Sequence, residues 1–261
     1  MEKLKRIGDI MYAFDSEEVF GNLKLKGESA LQFLIKDIEL VKPHLDFDFH
    51  SDLDINEVNK LRNQINENIA KVLLKKNFSV DLKKSQITGS KDTFYIIDQD
   101  NKQAITLSID YLNRRHILAP EYFARKDEVF EDLHLNCLST LENYGIYFLS
   151  LFQGNKDTTF LKAIIDNKKI LPQQAPFIRK ILTFYYALND EVGLSDVVIR
   201  ISAPQYQPFL VDLLNFNEKE ILFLENFKKG IYEPGLILPG MLGENLVNHP
   251  KAKLITKRRN K

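Results

Sequence analysis

Tryptophan is absent from this chain of 261 residues, and cysteine occurs once, at Cys137. A single cysteine excludes a disulfide framework within the chain, which accords with a reducing cytoplasm. Charge of one sign is lacking too: Lys plus Arg and Asp plus Glu both number 36, so the net charge is zero. No global basic field advertises nucleic acid, which leaves only local basic patches. No window approaches the ~18 uninterrupted apolar residues that a membrane span needs. The N-terminal Met-Glu-Lys-Leu-Lys-Arg leads into no apolar core of signal-peptide type.

Several motifs are missing as well. There is no Gly-x-x-x-x-Gly-Lys-Ser/Thr loop, which excludes a P-loop enzyme. The five histidines, at 44, 50, 116, 134 and 249, form no His-x-x-x-His or Cys–His spacing, which argues against a structural zinc. Asp46 to Asp52 lacks the glycine and terminal glutamate of an EF-hand loop. What is present, 44% apolar and 28% charged residues, is the composition of a soluble globular protein. The length allows one large domain or two ordinary ones.

Residues 1–22 read as a helical lead-in, with Ile7, Ile10, Met11 and Phe14 at near-helical spacing. Leu23 to Lys26 alternates like a short strand, Gly27 breaks it, and a helix is expected to start just after Ser29. Leu45, Phe47 and Phe49 alternate with Asp46 and Asp48, giving a strand with one apolar and one acidic face. Asp54-Ile55-Asn56-Glu57 has capping-box spacing and opens a helix to about Lys76, with Val58, Leu61, Ile65, Ile69 and Val72 as its buried stripe. Strand-like runs follow at 78–82, 93–98 and 104–111. From about Leu133 the pattern is helical, with aromatic stripes at Tyr144, Tyr147, Phe148, Phe184 and Tyr185, and Cys137 is expected to pack within it. The division is therefore a mixed α and β domain over 1–130, a helical bundle over 131–250 and a basic tail over 251–261 that is expected to be mobile.

Side chains two apart on a strand lie roughly 6.5–7 Å apart on one face, so Asp46 and Asp48 can share a metal site. Two divalent ions about 3.5–4 Å apart would bridge the attacking and leaving oxygens of a phosphoryl transfer. Mg²⁺ suits carboxylate, water and phosphate oxygens. Asp110, on the polar face of the 104–111 strand with Thr106 and Ser108, is the natural third carboxylate. The plain alternative is an edge strand with its aspartates in solvent. Gly27 and Ser29 stand at a strand-to-helix turn, where free N–H groups and the helix dipole attract phosphate. The plain alternative there is an ordinary turn glycine and an N-capping serine.

Gly27-Glu28-Ser29-Ala30-Leu31, then Lys42-Pro43-His44-Leu45-Asp46-Phe47-Asp48, then the strand ending at Asp110, resembles the polymerase-β-like nucleotidyltransferase superfamily. More narrowly it resembles the AbiEii branch, the nucleotidyltransferase toxins of bacterial type IV toxin–antitoxin systems. That branch typically reads Gly-Gly-Thr-Ala-Leu and Arg-x-Ser-x-Asp-hydrophobic-Asp. The resemblance spans residues 20–240. It implies an α+β protein, with a nucleotidyltransferase-fold mixed sheet with helices followed by a C-terminal helical bundle. It also implies Mg²⁺-dependent transfer of a nucleotidyl group from an NTP to an RNA (tRNA) or protein acceptor, and a cognate antitoxin as partner. Asp46, Asp48 and Asp110 would be the catalytic and metal-binding residues. Gly27, Ser29, Lys42, Lys156 and Asp157 would bind the nucleotide.

The chain departs from that pattern at several positions. Glu28 replaces a glycine in the phosphate turn, and Lys42 and His44 stand where Arg and Ser are usual. Lysine keeps the charge of arginine but not its bidentate fork. A lysine expected in the helical part falls on Gly145, while Lys156-Asp157 resembles the later basic–acidic pair. These departures leave a second expectation open: a nucleotidyltransferase-like module kept for binding RNA or a protein partner.

Overall fold

The computed structural model describes residues 2–36, 41–153, 158–166, 170–189 and 207–260. The chain divides into two compact units, one of Met1–Arg114 with Pro120–Leu138, the other of Arg115–Ala119 with Ser139–Lys261.

The first unit is built on a seven-stranded mixed sheet. In chain order it contains helix α1 (Glu2–Asp15), β1 (Leu23–Leu25), α2 (Gly27–Leu34), β2 (His44–Phe49), α3 (Ile55–Leu74), β3 (Phe78–Ile87), β4 (Lys91–Asp98), β5 (Ala104–Asp110), β6 (Glu121–Arg125) and β7 (Leu133–Cys137). Across the sheet the order is β3-β4-β5-β2-β1-β7-β6. The pairs β2/β5 and β1/β7 are parallel, and the other pairs are antiparallel.

Alternation decides what this sheet buries. Leu45, Phe47 and Phe49 of β2 join Ile105, Leu107 and Ile109 of β5 in one core. Ile7, Ile10, Met11 and Phe14 of α1 and Val58, Ile65, Ile69 and Val72 of α3 complete it. Each such side chain contributes about 1.5–3 kcal/mol when buried. The capping box at the start of α3 forms as its spacing predicts: the Asp54 carboxylate accepts from the Asn56 and Glu57 N–H groups, and Glu57 reaches back to the Asp54 N–H. Charged forks pin helices to strands. Arg6 of α1 donates to both oxygens of Asp98, at 2.9 and 2.7 Å. Arg62 of α3 grips Asp92 in the same way.

The second unit is helical among its described residues: α4 (Thr140–Phe152), α5 (Thr159–Asp166), α6 (Ala175–Leu188), α7 (Gln207–Leu213), α8 (Glu218–Lys228), α9 (Met241–Leu246) and α10 (Pro250–Arg259). The aromatic stripes are core, as expected: Tyr144, Tyr147, Phe148, Phe184 and Tyr185 are buried. Gly145 lets α4 and α6 approach closely, because a Cβ there would lie 2.4 Å from Ile181 Cγ2.

A mixed sheet followed by helices is what the sequence led us to expect, but three local expectations need correction. Leu133–Cys137 is strand β7 rather than the opening of the helical part, and Cys137 packs in the sheet. Helix α2 starts at Gly27, two residues before Ser29. The basic tail is helical: α10 ends on Lys257, Arg258 and Arg259, which oppose the negative end of its dipole. Arg259 donates to the Phe227 carbonyl at 2.7 Å. Among the described residues no helix is long and apolar enough to cross a membrane.

Candidate active site

The site lies on the polar face of the sheet in the first unit. After β1 the chain passes Lys26 in extended conformation and turns at Gly27, whose φ of +56° lies in the left-handed region that favours glycine. Two hydrogen bonds tie this turn to β2: Lys26 N donates to Asp46 O at 2.9 Å, and Asp46 N donates to Ser29 Oγ at 2.9 Å. Ser29 in turn donates to the His44 carbonyl at 3.1 Å. The serine expected at a phosphate is thus also a clamp that fixes where β2 presents Asp46.

The aspartates follow from strand register. Asp46 and Asp48 share a face of β2, and the parallel pairing of β2 with β5 sets Asp48 beside Asp110 and Asp46 beside Ser108. Neighbouring strands lie about 4.8 Å apart, so Asp48 and Asp110 are side by side, with Asp46 further along the same face. Lys91 of β4 stands opposite Asp110 on its other side.

Each carboxylate has distinct partners. Asp48 is fully buried. Its Oδ1 is ion-paired with the Lys26 ammonium, and its Oδ2 accepts from Asn113 Nδ2 at 2.5 Å. Asp110 Oδ1 accepts from the N–H groups of Leu112 and Asn113 at 2.8 and 3.1 Å. Asp46 Oδ2 lies 2.6 Å from His44 Nε2.

Electrostatics keep Asp46 and Lys26 charged. Burial pushes the Asp46 carboxyl up, but the hydrogen bond and charge of His44, with Lys26 and Lys91, outweigh it and hold it below its ordinary value. Burial pulls the Lys26 ammonium down, but the charges of Asp48, Asp110 and Asp46 outweigh that and hold it above the usual lysine range.

No family model matches this chain. No curated protein matches it either. Among solved structures it is similar to JHP933 from Helicobacter pylori, with 17% identity, a TM-score of 0.39, and coverage of 100% of this chain and 94% of that one. It is similar also to a proposed nucleotidyltransferase from H. pylori, with 17% identity, a TM-score of 0.37, and coverage of 99% of this chain and 95% of that one. At these scores neither structure assigns a fold family or an activity to the chain.

The other expected residues divide. Lys42 is ion-paired with Glu28 in the first turn of α2, so the acid that departs from the familiar turn is balanced by a local cation. Lys156 and Asp157 lie outside the described residues. The position where a lysine is usual, Gly145, is filled by its contact with Ile181. Cys137 is no nucleophile, since burial pushes its thiol up to about 12.

Sequence reasoning missed Lys26 and Asn113. The available signals were a lysine between a strand and a turn glycine, and an asparagine just past the strand that ends at Asp110.

The donors suit Mg²⁺ in kind: hard carboxylate oxygens from adjacent strands. Asp110 Oδ2 makes no hydrogen bond among the described residues. The carboxylates are not drawn around a common centre, since no group of three His, Cys, Asp or Glu is arranged for a metal among the described residues. Lys26 lies among them instead.

Proposed function

We propose that this protein is an Mg²⁺-dependent nucleotidyltransferase acting from the polar face of its sheet. The observation that carries the reading is the register of β2 on β5, which sets Asp48 beside Asp110 with Asp46 on the same face, next to the left-handed turn at Gly27. Asp46, Asp48 and Asp110 would hold Mg²⁺, which when bound would neutralise charge on the triphosphate and favour attack at its α-phosphorus.

The chain's own residues supply the rest. The Gly27 turn and the first N–H groups of α2 receive the β- and γ-phosphates, with Lys42 nearby as a cation. Asp110 keeps Oδ1 fixed by two backbone N–H groups and turns Oδ2 to the acceptor hydroxyl, whose proton it takes. The acceptor oxygen bonds to the α-phosphorus, the bond from that phosphorus to the β-phosphate bridge breaks, and pyrophosphate leaves. Most of the rate gain comes from positioning and charge neutralisation.

Following the family resemblance, the acceptor is RNA, such as tRNA, or protein, in the cytoplasm. The biological role is that of a toxin held by a cognate antitoxin.

The test is transfer of label from α-labelled ATP, GTP, CTP and UTP, with Mg²⁺, onto cellular RNA and protein. Asp46→Asn and Asp110→Asn are the controls of choice because both preserve local hydrogen bonding. Label with the wild type alone supports the reading. No label, together with no NTP binding by calorimetry, contradicts it. The Lys26–Asp48 ion pair favours a second reading, a binding module for RNA or a protein partner. Such a module keeps its ligand in Asp46→Asn.

A further inference from the structure

The Lys26 ammonium has no role in the mechanism above, yet it lies at the electrostatic centre of the site. It is ion-paired with a carboxylate that is fully buried, and only 20% of its own side chain is exposed. Asp46 and Asp110 add their charge to that of Asp48 at the same ammonium. Asn113 takes the remaining oxygen of Asp48. Both oxygens of Asp48 are therefore already engaged, and a metal approaching Oδ1 meets the Lys26 ammonium there.

We propose that Lys26 is the built-in counter-ion of this site, placed where a divalent cation would be held, so that cation and lysine compete for Asp48. The inference rests on the metal-dependent reading given above. Charged carboxylates on adjacent strands repel one another, and a cation fixed among them offsets that repulsion as the sheet folds. Lysine suits an exchangeable role better than arginine, because its charge is compact and its four-carbon stem is flexible. Its backbone is fixed by the bond from Lys26 N to Asp46 O, so only the side chain has to move. Next along the chain is the Gly27 turn, so an ammonium displaced from Asp48 finds triphosphate oxygens within reach. The site then takes up a divalent cation weakly on its own and more tightly together with a nucleotide.

Mn²⁺ titrated calorimetrically into the full chain tests this directly, without nucleotide and at low salt. Lys26→Met is expected to bind Mn²⁺ at least tenfold more tightly than the wild type, and adding Asp46→Asn removes the gain. Lys26→Arg, which keeps a cation in place, is expected to bind no more tightly than the wild type. Where Lys26→Met does not fold, Lys26→Gln keeps a donor to Asp48 without the charge and is expected to show the same gain. Wild-type Mn²⁺ binding that depends on Asp46 but is not tightened in Lys26→Met or Lys26→Gln overturns the counter-ion role and leaves the proposed function standing. No Mn²⁺ binding by the wild type or by either variant overturns both.

Discussion

In the sheet unit, Asp92 and Asp98 are fully buried and each is gripped by an arginine from a helix. In the helical unit, Glu142 is equally buried, but its direct donors are neutral: the N–H groups of Ile117 and Leu118, at 3.0 and 3.2 Å, and the Tyr185 hydroxyl, at 2.6 Å. The consequences for charge are opposite. Arg6 holds the Asp98 carboxyl below its ordinary value despite burial. Burial raises that of Glu142, against the opposing charge of His116 and the opposing hydrogen bonds. The difference separates two uses of a buried acid. In the sheet unit, buried aspartates are matched by cations, and the candidate site extends that habit to Asp48 and Lys26. In the helical unit both grips occur: Glu142 is held by neutral donors and close packing, while the equally buried Glu220 is held by Arg179 at 2.9 Å.

The comparison breaks most sharply at an arginine. Arg62→Ala leaves Asp92 buried without its cation and is expected to cost about 3–5 kcal/mol in denaturant unfolding. Asp92→Asn in the same chain should recover part of that loss. On the packing side, Gly145→Ala drives a methyl into Ile181 and is expected to cost about 1–3 kcal/mol, with Ile181→Ala as a partial second-site rescue.

Glu142→Gln probes the neutral grip. Its amide turns an N–H donor toward an N–H, at an expected cost of about 1–3 kcal/mol at neutral pH. Its pH behaviour is the sharper reading. The folded-state pKa of Glu142 is raised, so the folded chain binds the proton first. Stability from this group therefore falls as pH rises from the ordinary carboxylate value through the raised one. For Asp98 the folded-state pKa is lowered, so its contribution is full above the ordinary value and is lost as pH falls through the lowered one. Mild acid should then slow hydrogen exchange in α4 and α6, corrected for intrinsic rates, while β4 shows no such gain. Glu142→Gln should abolish that response. The smallest effect is expected at Asp54→Ala, which removes an exposed cap of α3 for about 1 kcal/mol, read as a small drop in Tm.

Local rules made part of this structure legible in advance. The α3 capping box, the apolar face of β2 and β5, and the shared face of Asp46 and Asp48 all follow from spacings of two or three residues. Asp110 was singled out by the polar face of its strand alone, and its place beside Asp48 comes from the parallel register of β2 on β5. Strands β6 and β7 were hidden because five-residue runs such as Leu133–Cys137 alternate too briefly to be told from a helical start. Gly145 looked like a lost lysine because its reason, Ile181, comes from another helix. Lys26 was overlooked because a lysine beside a glycine turn is commonplace in sequence. Its meaning depends on three carboxylates that only the folded sheet brings to it.

The account stands on the claim that Asp46, Asp48 and Asp110 form one metal–nucleotide site. The most direct measurement is a crystal structure of the full chain with Mn²⁺ and a non-hydrolysable nucleoside triphosphate, with manganese located by anomalous scattering. The account predicts an anomalous peak among the three aspartates, with the triphosphate against the Gly27 turn and the Lys26 ammonium drawn off Asp48. A triphosphate and manganese bound elsewhere, with Lys26 still paired to Asp48, would contradict it.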